Sequence, residues 1–583
     1  MRYLFSVLVL ASLAMAGTVT PDLAAELAGA GSDDLIPVLV KPVGRVDPAY
    51  LAAATAGMDR DARRDFVAEV LKAKADETQQ GILDVLSSAP SEQVSGVRSF
   101  WIVNAVACDV TPALVRELAT REDVQYVRYR FCADILIEPV DVHPSSCLDA
   151  SRANAWGVDK IEAPEVWGWG YEGAGVLVSV IDTGVNYNHL DLHNQMWHDT
   201  DAGYHYGWDF DDNDGDPMDQ YGHGTHCAGS VASNGTAGTT CGVAPEATIM
   251  ALRVGVTFAD EQDVWDAMQF SIDYDADVIT MSLGWPQSQS PQRTEWREGE
   301  ENILAAGIFH SVAAGNEGGD PNDWGDIRTP GDSPPPWLHP MQTTTGGLSA
   351  VVTVGATDTS DNLASFSSLG YSTWMYDAPW HDYPDSPPEI GLIDPDVCAP
   401  GVNIVSCSYT NPSGYTTMSG TSMATPHNAG LVALMLCANP NLSVAKIDSI
   451  LEVTALDLGS AGKDNYYGSG RIQAPEAVSA ALAVGIEDDM GGFLPPGVLL
   501  SQVYPNPASD VVFFDVYVPN GGQARIEVFD LAGRVVGSVG TGPLGAGSHS
   551  LSWDVPSGVS AGIYFLRATG EGQVVTRRLT VIR

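Results

Sequence analysis

Four short motifs carry residue types that together can cleave an acyl bond. Met418-Ser-Gly-Thr-Ser-Met-Ala-Thr-Pro426 places the hydroxyl of Ser422 just ahead of the apolar run Gly430-Leu-Val-Ala-Leu-Met-Leu436. The pattern predicts a small-residue turn feeding a buried helix, and Pro426 fits its first turn, where no intrahelical acceptor is lost. A serine there faces free backbone N–H groups and the positive end of the helix dipole. Ile181-Asp182-Thr183-Gly184 sets a carboxylate at the end of an apolar run. Gly222-His-Gly-Thr-His-Cys-Ala-Gly229 sets two histidines on a small-residue helix, and Ala313-Ala-Gly-Asn316 offers an amide. Each alone has a plain reading: helix cap, turn cap, core histidine, left-handed turn residue. Their company points to nucleophilic acyl transfer.

These residues need a scaffold that gathers strand ends. From Trp156 the pattern alternates strand and helix, with apolar runs at 176–181, 248–254, 278–282, 309–314 and 350–354 and helical stretches such as 263–272 and 302–306. Runs of this kind read as buried parallel strands, so the expected fold is α/β, a doubly wound, mostly parallel sheet with functional groups at its carboxyl edge. Two Pro-, Asp- and Trp-rich insertions, 320–338 and 371–394, are expected as ordered loops near the cleft. Upstream, 35–133 reads as a small α+β domain: strand 35–41, helix 61–87, strand 97–108, helix 111–120 and strand 124–131. Residues 139–155 read as an irregular linker and a plausible place of cutting. After a Gly/Pro-rich linker, the last ~85 residues alternate apolar and polar between turn signals, which predicts an all-β sandwich.

The chain has 583 residues, enough for several domains. Its first 16 residues have a basic start, an apolar run and Ala14-Met-Ala16, which is a signal-peptide pattern. The net charge of −46 divides into −8 over 1–150, −35 over 151–484 and −3 over 485–583. Such a surface excludes nucleic acid and anionic lipid as partners and favours divalent cations. Six carboxylates, Asp209, Asp211, Asp212, Asp214, Asp216 and Asp219, crowd one loop ahead of His223; a Ca²⁺ ion, which takes 6–8 oxygen ligands, would relieve their repulsion. The stretch does not fit the EF-hand pattern. Eight cysteines are too few for a disulfide scaffold, and Cys398 with Cys407, flanking a strand-like run, are the expected pair.

Together the four motifs resemble those of the subtilisin-like serine proteases, in that family's order Asp, His, Ser, over about 156–484. The resemblance implies Ser422 as nucleophile, His223 as base, Asp182 as its orienting carboxylate and Asn316 as oxyanion donor. It makes His226 structural and sets Cys227 beneath His223 as a free thiol. It further implies that Ser282, Leu283 and Gly284 pair with substrate backbone, and that Ala313, Ala314 and Gly315 wall the pocket for the residue before the cut. Residues 99–107 and 123–128 resemble strands of the inhibitory propeptides of that family. Tyr504-Pro-Asn-Pro507, 525–534 and 562–567 resemble C-terminal sorting domains of type IX secretion systems and related FlgD-like Ig folds.

The expected organisation is therefore signal peptide 1–16, propeptide and linker 17–150, peptidase domain 151–484, linker 485–498 and sorting domain 499–583. The expected function is a secreted or surface-located, calcium-stabilised serine endopeptidase acting on protein substrates. It would be a monomer, inhibited by its own propeptide and handed to outer-membrane secretion machinery by its tail. One alternative is a catalytically silent, surface-anchored binding protein on a protease fold; another is a processing protease with a single partner.

Overall fold

A computed structural model describes residues 17–131, 135–144, 154–256, 261–319, 325–342, 346–385, 391–484 and most of 499–582. The signal-peptide and second-linker readings fall outside these residues. The chain divides into two compact units, Met1–Val478 and Ser479–Arg583.

In the first unit, an N-terminal sheet runs in the order Thr18–Val19, Val124–Tyr129, Ile36–Pro42, Ala105–Val110, Val94–Phe100. Helices Arg60–Ser88 and Pro112–Ala119 cover it, the former capped by the Asp59 side chain accepting from Ala62 N–H. The run read as one strand over 97–108 is instead a hairpin: Phe100 pairs with Ala105, and Asn104 turns the chain at φ 43°. The turn residues Ile102 and Val103 are themselves buried, so hydropathy hid the break, and only the asparagine marked it.

Seven strands form the main sheet, in the order Gly207–Asp209, Thr248–Arg253, Leu177–Asp182, Val278–Met281, Phe309–Ala313, Val351–Thr357, Val397–Pro400, every neighbour parallel. Both faces are covered, which is why most residues of these strands are apolar. Asp182, Ser282 and Ala314–Asn316 end or follow three adjacent strands, so topology alone puts them side by side. Helix Thr421–Ala438 is buried all round its first four turns and packs against helix His223–Ala232.

The N-terminal region shares a core with the α/β region that follows it: Leu39, Val67, Phe100 and Ile102 pack with Trp265, Met268 and Trp296. Beyond it, Asp141–Pro144 is a strand, not irregular linker, paired antiparallel with Tyr415–Ser419. The two insertions part company. In the first, Arg328 reaches the site, whereas the described part of 371–394 stacks Trp374 and Trp380 on Arg297 and ties Asp377 and Asp382 to Arg293 and Arg297. It braces helix Arg293–Ala306 and is not a cleft loop.

In the second unit, antiparallel strands between Leu499 and Val581 form a three-stranded and a four-stranded sheet around Phe514, Val528, Trp553 and Leu566, an all-β arrangement as expected.

Candidate active site

Asp182 ends a buried strand with 1% of its surface exposed, and its Oδ1 accepts from Thr183 N–H and lies 2.8 Å from His223 Nδ1. His223 opens its helix. A Cβ on Gly224 would fall 2.2 Å from the Gly184 carbonyl oxygen, so only glycine lets the helix approach the strand this closely. Burial pulls the His223 imidazole towards neutrality, but the adjacent Asp182 carboxylate outweighs it and raises its pKa well above the ordinary value. Cys227 is a free thiol with Sγ 3.9 Å from His223 Nδ1 and 3.5 Å from the Ser422 carbonyl oxygen. His226 instead holds the Ile404 carbonyl, and burial depresses its pKa to about 3.

Ser422 lies in the first turn of its helix. Asn316 is fixed beside it: Oδ1 accepts from Thr421 N–H at 2.9 Å and lies 3.0 Å from the Thr421 hydroxyl. Thr421 also exchanges hydrogen bonds with the Gly315 backbone. It is thus the residue that aims the amide, a role visible in the sequence only as the middle of Gly-Thr-Ser.

The groove between these elements is filled by the chain's own residues 135–144. Leu136 pairs antiparallel with Leu283, and Gly284 N–H donates to the Ile135 carbonyl at 3.0 Å. Ser422 Oγ donates to the Ile137 carbonyl at 2.9 Å, and Asn316 Nδ2 donates to the Glu138 carbonyl at 2.8 Å. Val140 N–H then donates to the Ser419 carbonyl at 2.8 Å. Ser422 Oγ therefore faces this segment and not His223, whose Nε2 has no hydrogen-bond partner among the described residues. Six expected substrate-binding residues, Ser282–Gly284 and Ala313–Gly315, line two neighbouring strand ends, and the first three touch the seated segment or Ser422 directly.

The acidic loop is organised otherwise than expected. Arg253 reaches into it from the adjoining strand and pairs with Asp209, Asp211 and Asp212. Asp216 accepts from the Tyr187 hydroxyl, and Asp214 caps Asp216 N–H. Among the described residues, no three of the six bring carboxylate oxygens within 4.8 Å of one another. The donor set does not fit one Ca²⁺ ion, because three carboxylates already face a guanidinium. Asp219 does something else. It accepts from Thr183 Oγ1, the N–H groups of Tyr221, Gly222 and Thr225, and Thr225 Oγ1, which fixes the turn that presents His223.

The six described cysteines are all free thiols. Cys398 and Cys407 lie on strands of different sheets, so the expected pairing is not made.

Comparison with known proteins gives the family. Residues 173–470 match the model of the subtilase family, and 502–582 match that of the secretion system C-terminal sorting domain. Subtilisin NAT of Bacillus subtilis subsp. natto is 32% identical over 384 residues, 65% of this chain and 82% of the relative. Thermitase of Thermoactinomyces vulgaris is 34% identical over 336 residues, 55% of this chain and 95% of the relative. Bacillopeptidase F of Bacillus subtilis (strain 168) is 30% identical over 458 residues, 72% of this chain but only 29% of the relative. The chain belongs to the subtilase family and is a serine peptidase.

Proposed function

We propose that this subtilase is a secreted endopeptidase whose Ser422 attacks peptide carbonyls in protein substrates. His223 Nε2 takes the serine proton and passes it to the leaving amine. Asp182 holds Nδ1–H and stabilises the imidazolium, while Asn316 Nδ2 and Ser422 N–H receive the oxyanion. Removing one such donor costs roughly 100- to 1,000-fold in rate. The observation that supports the reading is the seated segment: a peptide carbonyl, that of Ile137, stands 2.9 Å from Ser422 Oγ.

The first substrate on this reading is the chain itself. Residues 17–137 act as prosegment and inhibitor, and the first cut falls between Ile137 and Glu138, earlier than the 139–155 expected from composition. The described state is a resting one. Attack needs the Ile137 oxygen to swing from the serine hydroxyl to the Asn316 amide, which is now spent on Glu138. It also needs Ser422 Oγ to turn to His223. The missing serine–histidine hydrogen bond is the one observation on the side of a silent binding protein.

The tail, matched to a sorting domain, passes the enzyme to outer-membrane secretion machinery and is cut off at the surface. No calcium ion is assigned to the acidic loop. Casein hydrolysis by wild type beside Ser422→Ala tests the catalytic reading; equal activity of the two proteins would refute it.

A further inference from the structure

We propose that Arg328 is a substrate-binding residue that clamps the backbone carbonyl of the second residue before the bond to be cut, and that Glu317 positions it. The inference rests on the reading of residues 135–138 as a substrate-like occupant of the groove.

Arg328 lies in the first insertion, outside every motif. Its N–H donates to the Ala314 carbonyl at 3.0 Å, which anchors its backbone on the Ala313–Gly315 wall. Its stem then fills the space between the two walls. A Cβ on Gly284 would meet Arg328 Cβ at 3.1 Å, and one on Gly315 would meet Arg328 Cγ at 3.2 Å. Nε and Nη2 both donate to Glu317 Oε1, at 3.0 and 2.7 Å, and the Ser368 hydroxyl donates to Glu317 Oε2 at 2.9 Å. That chain fixes the planar fork and leaves Nη1 to point along the groove. Nη1 donates to two carbonyls: Gly284 on the edge strand at 3.0 Å and Leu136 on the seated segment at 3.4 Å.

The Gly284 contact is internal, but the Leu136 carbonyl belongs to the chain that leaves on processing. A guanidinium with 14% of its side chain exposed therefore has one donor reserved in part for whatever backbone occupies this place. Such charge-assisted bonds in a partly dry site are among the stronger ones. A carbonyl is common to every peptide, so the clamp rewards chain length on the amino side of the cut and not side-chain identity. Lysine cannot replace it, since one ammonium cannot hold Glu317 through two donors and still span both carbonyls.

The test compares acetyl-Ile-Leu-Ile-p-nitroanilide, which supplies the clamped carbonyl, with p-nitrophenyl 3-methylpentanoate, the ester of the isoleucine acyl chain without its amide, which does not. Both are run on wild type, Arg328→Met and Arg328→Lys, normalised by active-site serine labelling. Arg328→Met is expected to lose about tenfold more kcat/KM on the tripeptide than on the ester, chiefly through KM, with little rescue by lysine. Glu317→Gln, which keeps the guanidinium but loosens it, is expected to shift the same ratio by about threefold. Equal losses on both substrates, in Arg328→Met and in Glu317→Gln, would make the pair a structural prop and overturn the proposal. Failure of the wild type on both would instead sink the catalytic reading beneath it.

Discussion

Two acidic regions of the peptidase domain are neutralised in opposite ways. In the loop around Asp209, the cation is Arg253, a fixed part of the same sheet. On the face formed by helices Gln262–Asp273 and Arg293–Ala306 and the turn between Tyr274 and Asp277, the cations come from the proposed prosegment. Lys41 and Arg45 meet Glu298, Arg45 also meets Glu301, Arg128 meets Glu295, Arg60 and Arg64 meet Asp277, and Arg98 meets Asp263 and Asp266. Every cation in this set lies on residues 17–131 and every anion on the peptidase. One region keeps its compensation for good; on the proposed reading the other loses it when residues 17–137 leave. A charge excess of −35 can thus be partly hidden during folding and exposed on maturation.

The largest expected effect separates the two. Lys41 is buried and donates to Glu298 and to the Val103 carbonyl. In the uncut Ser422→Ala chain, Lys41→Met should destabilise docking of residues 17–131 by about 3 kcal/mol, because it leaves the buried Glu298 carboxylate with only Arg45, 3.5 Å away. Hydrogen exchange in helix Arg293–Ala306 measures it, and mature enzyme should be untouched. Arg253→Leu should do the reverse, lowering the melting temperature of precursor and mature enzyme alike by the equivalent of about 2–3 kcal/mol, since Asp209 is buried and its partners lie at the rim. A loss confined to the precursor would break the comparison.

Salt should then discriminate. Raising it from 0.1 to 1 M is expected to weaken prosegment docking roughly tenfold while leaving the Arg253 loop nearly unchanged. Lys72→Ala, which removes a pair open to solvent on both sides, should be almost silent. The smallest effect concerns pH. Burial raises the pKa of Glu261 to about 8, and its Oε1 accepts from Gln292 N–H and Trp296 Nε1. A carboxyl with a raised folded-state pKa stabilises fully below its unfolded value and loses that stabilisation as pH rises through the folded one. Melting temperature should therefore fall between about pH 5 and 8, and Glu261→Gln should flatten that fall.

The same contrast marks what the sequence can show. Asp182, His223, Asn316 and Ser422 were legible because their neighbours are local: glycines that permit close approach and apolar runs that fix a strand end or a helix start. The neutralisation of the acidic loop was hidden because its partner, Arg253, arrives from a strand more than thirty residues on, and a lone arginine at a strand end carries no motif. Arg328 was invisible for the same reason. The turn at Asn104 was lost because its flanking residues are buried, and the Cys398–Cys407 pairing failed because two short adjacent strands belong to different sheets. Trp374 and Trp380 looked like cleft furniture, yet they stack on two arginines of a helix. Aromatic insertions announce order but not the place where they dock.

The most direct test follows the purified chain and its Ser422→Ala variant through self-processing by mass spectrometry, with an active-site serine label. Wild type should yield a mature product beginning at Glu138, labelled at Ser422 and active on casein. The variant should remain full-length, folded and unlabelled. A mature-sized product from the purified variant, or label placed on another residue, would contradict the assignment of Ser422 as the nucleophile.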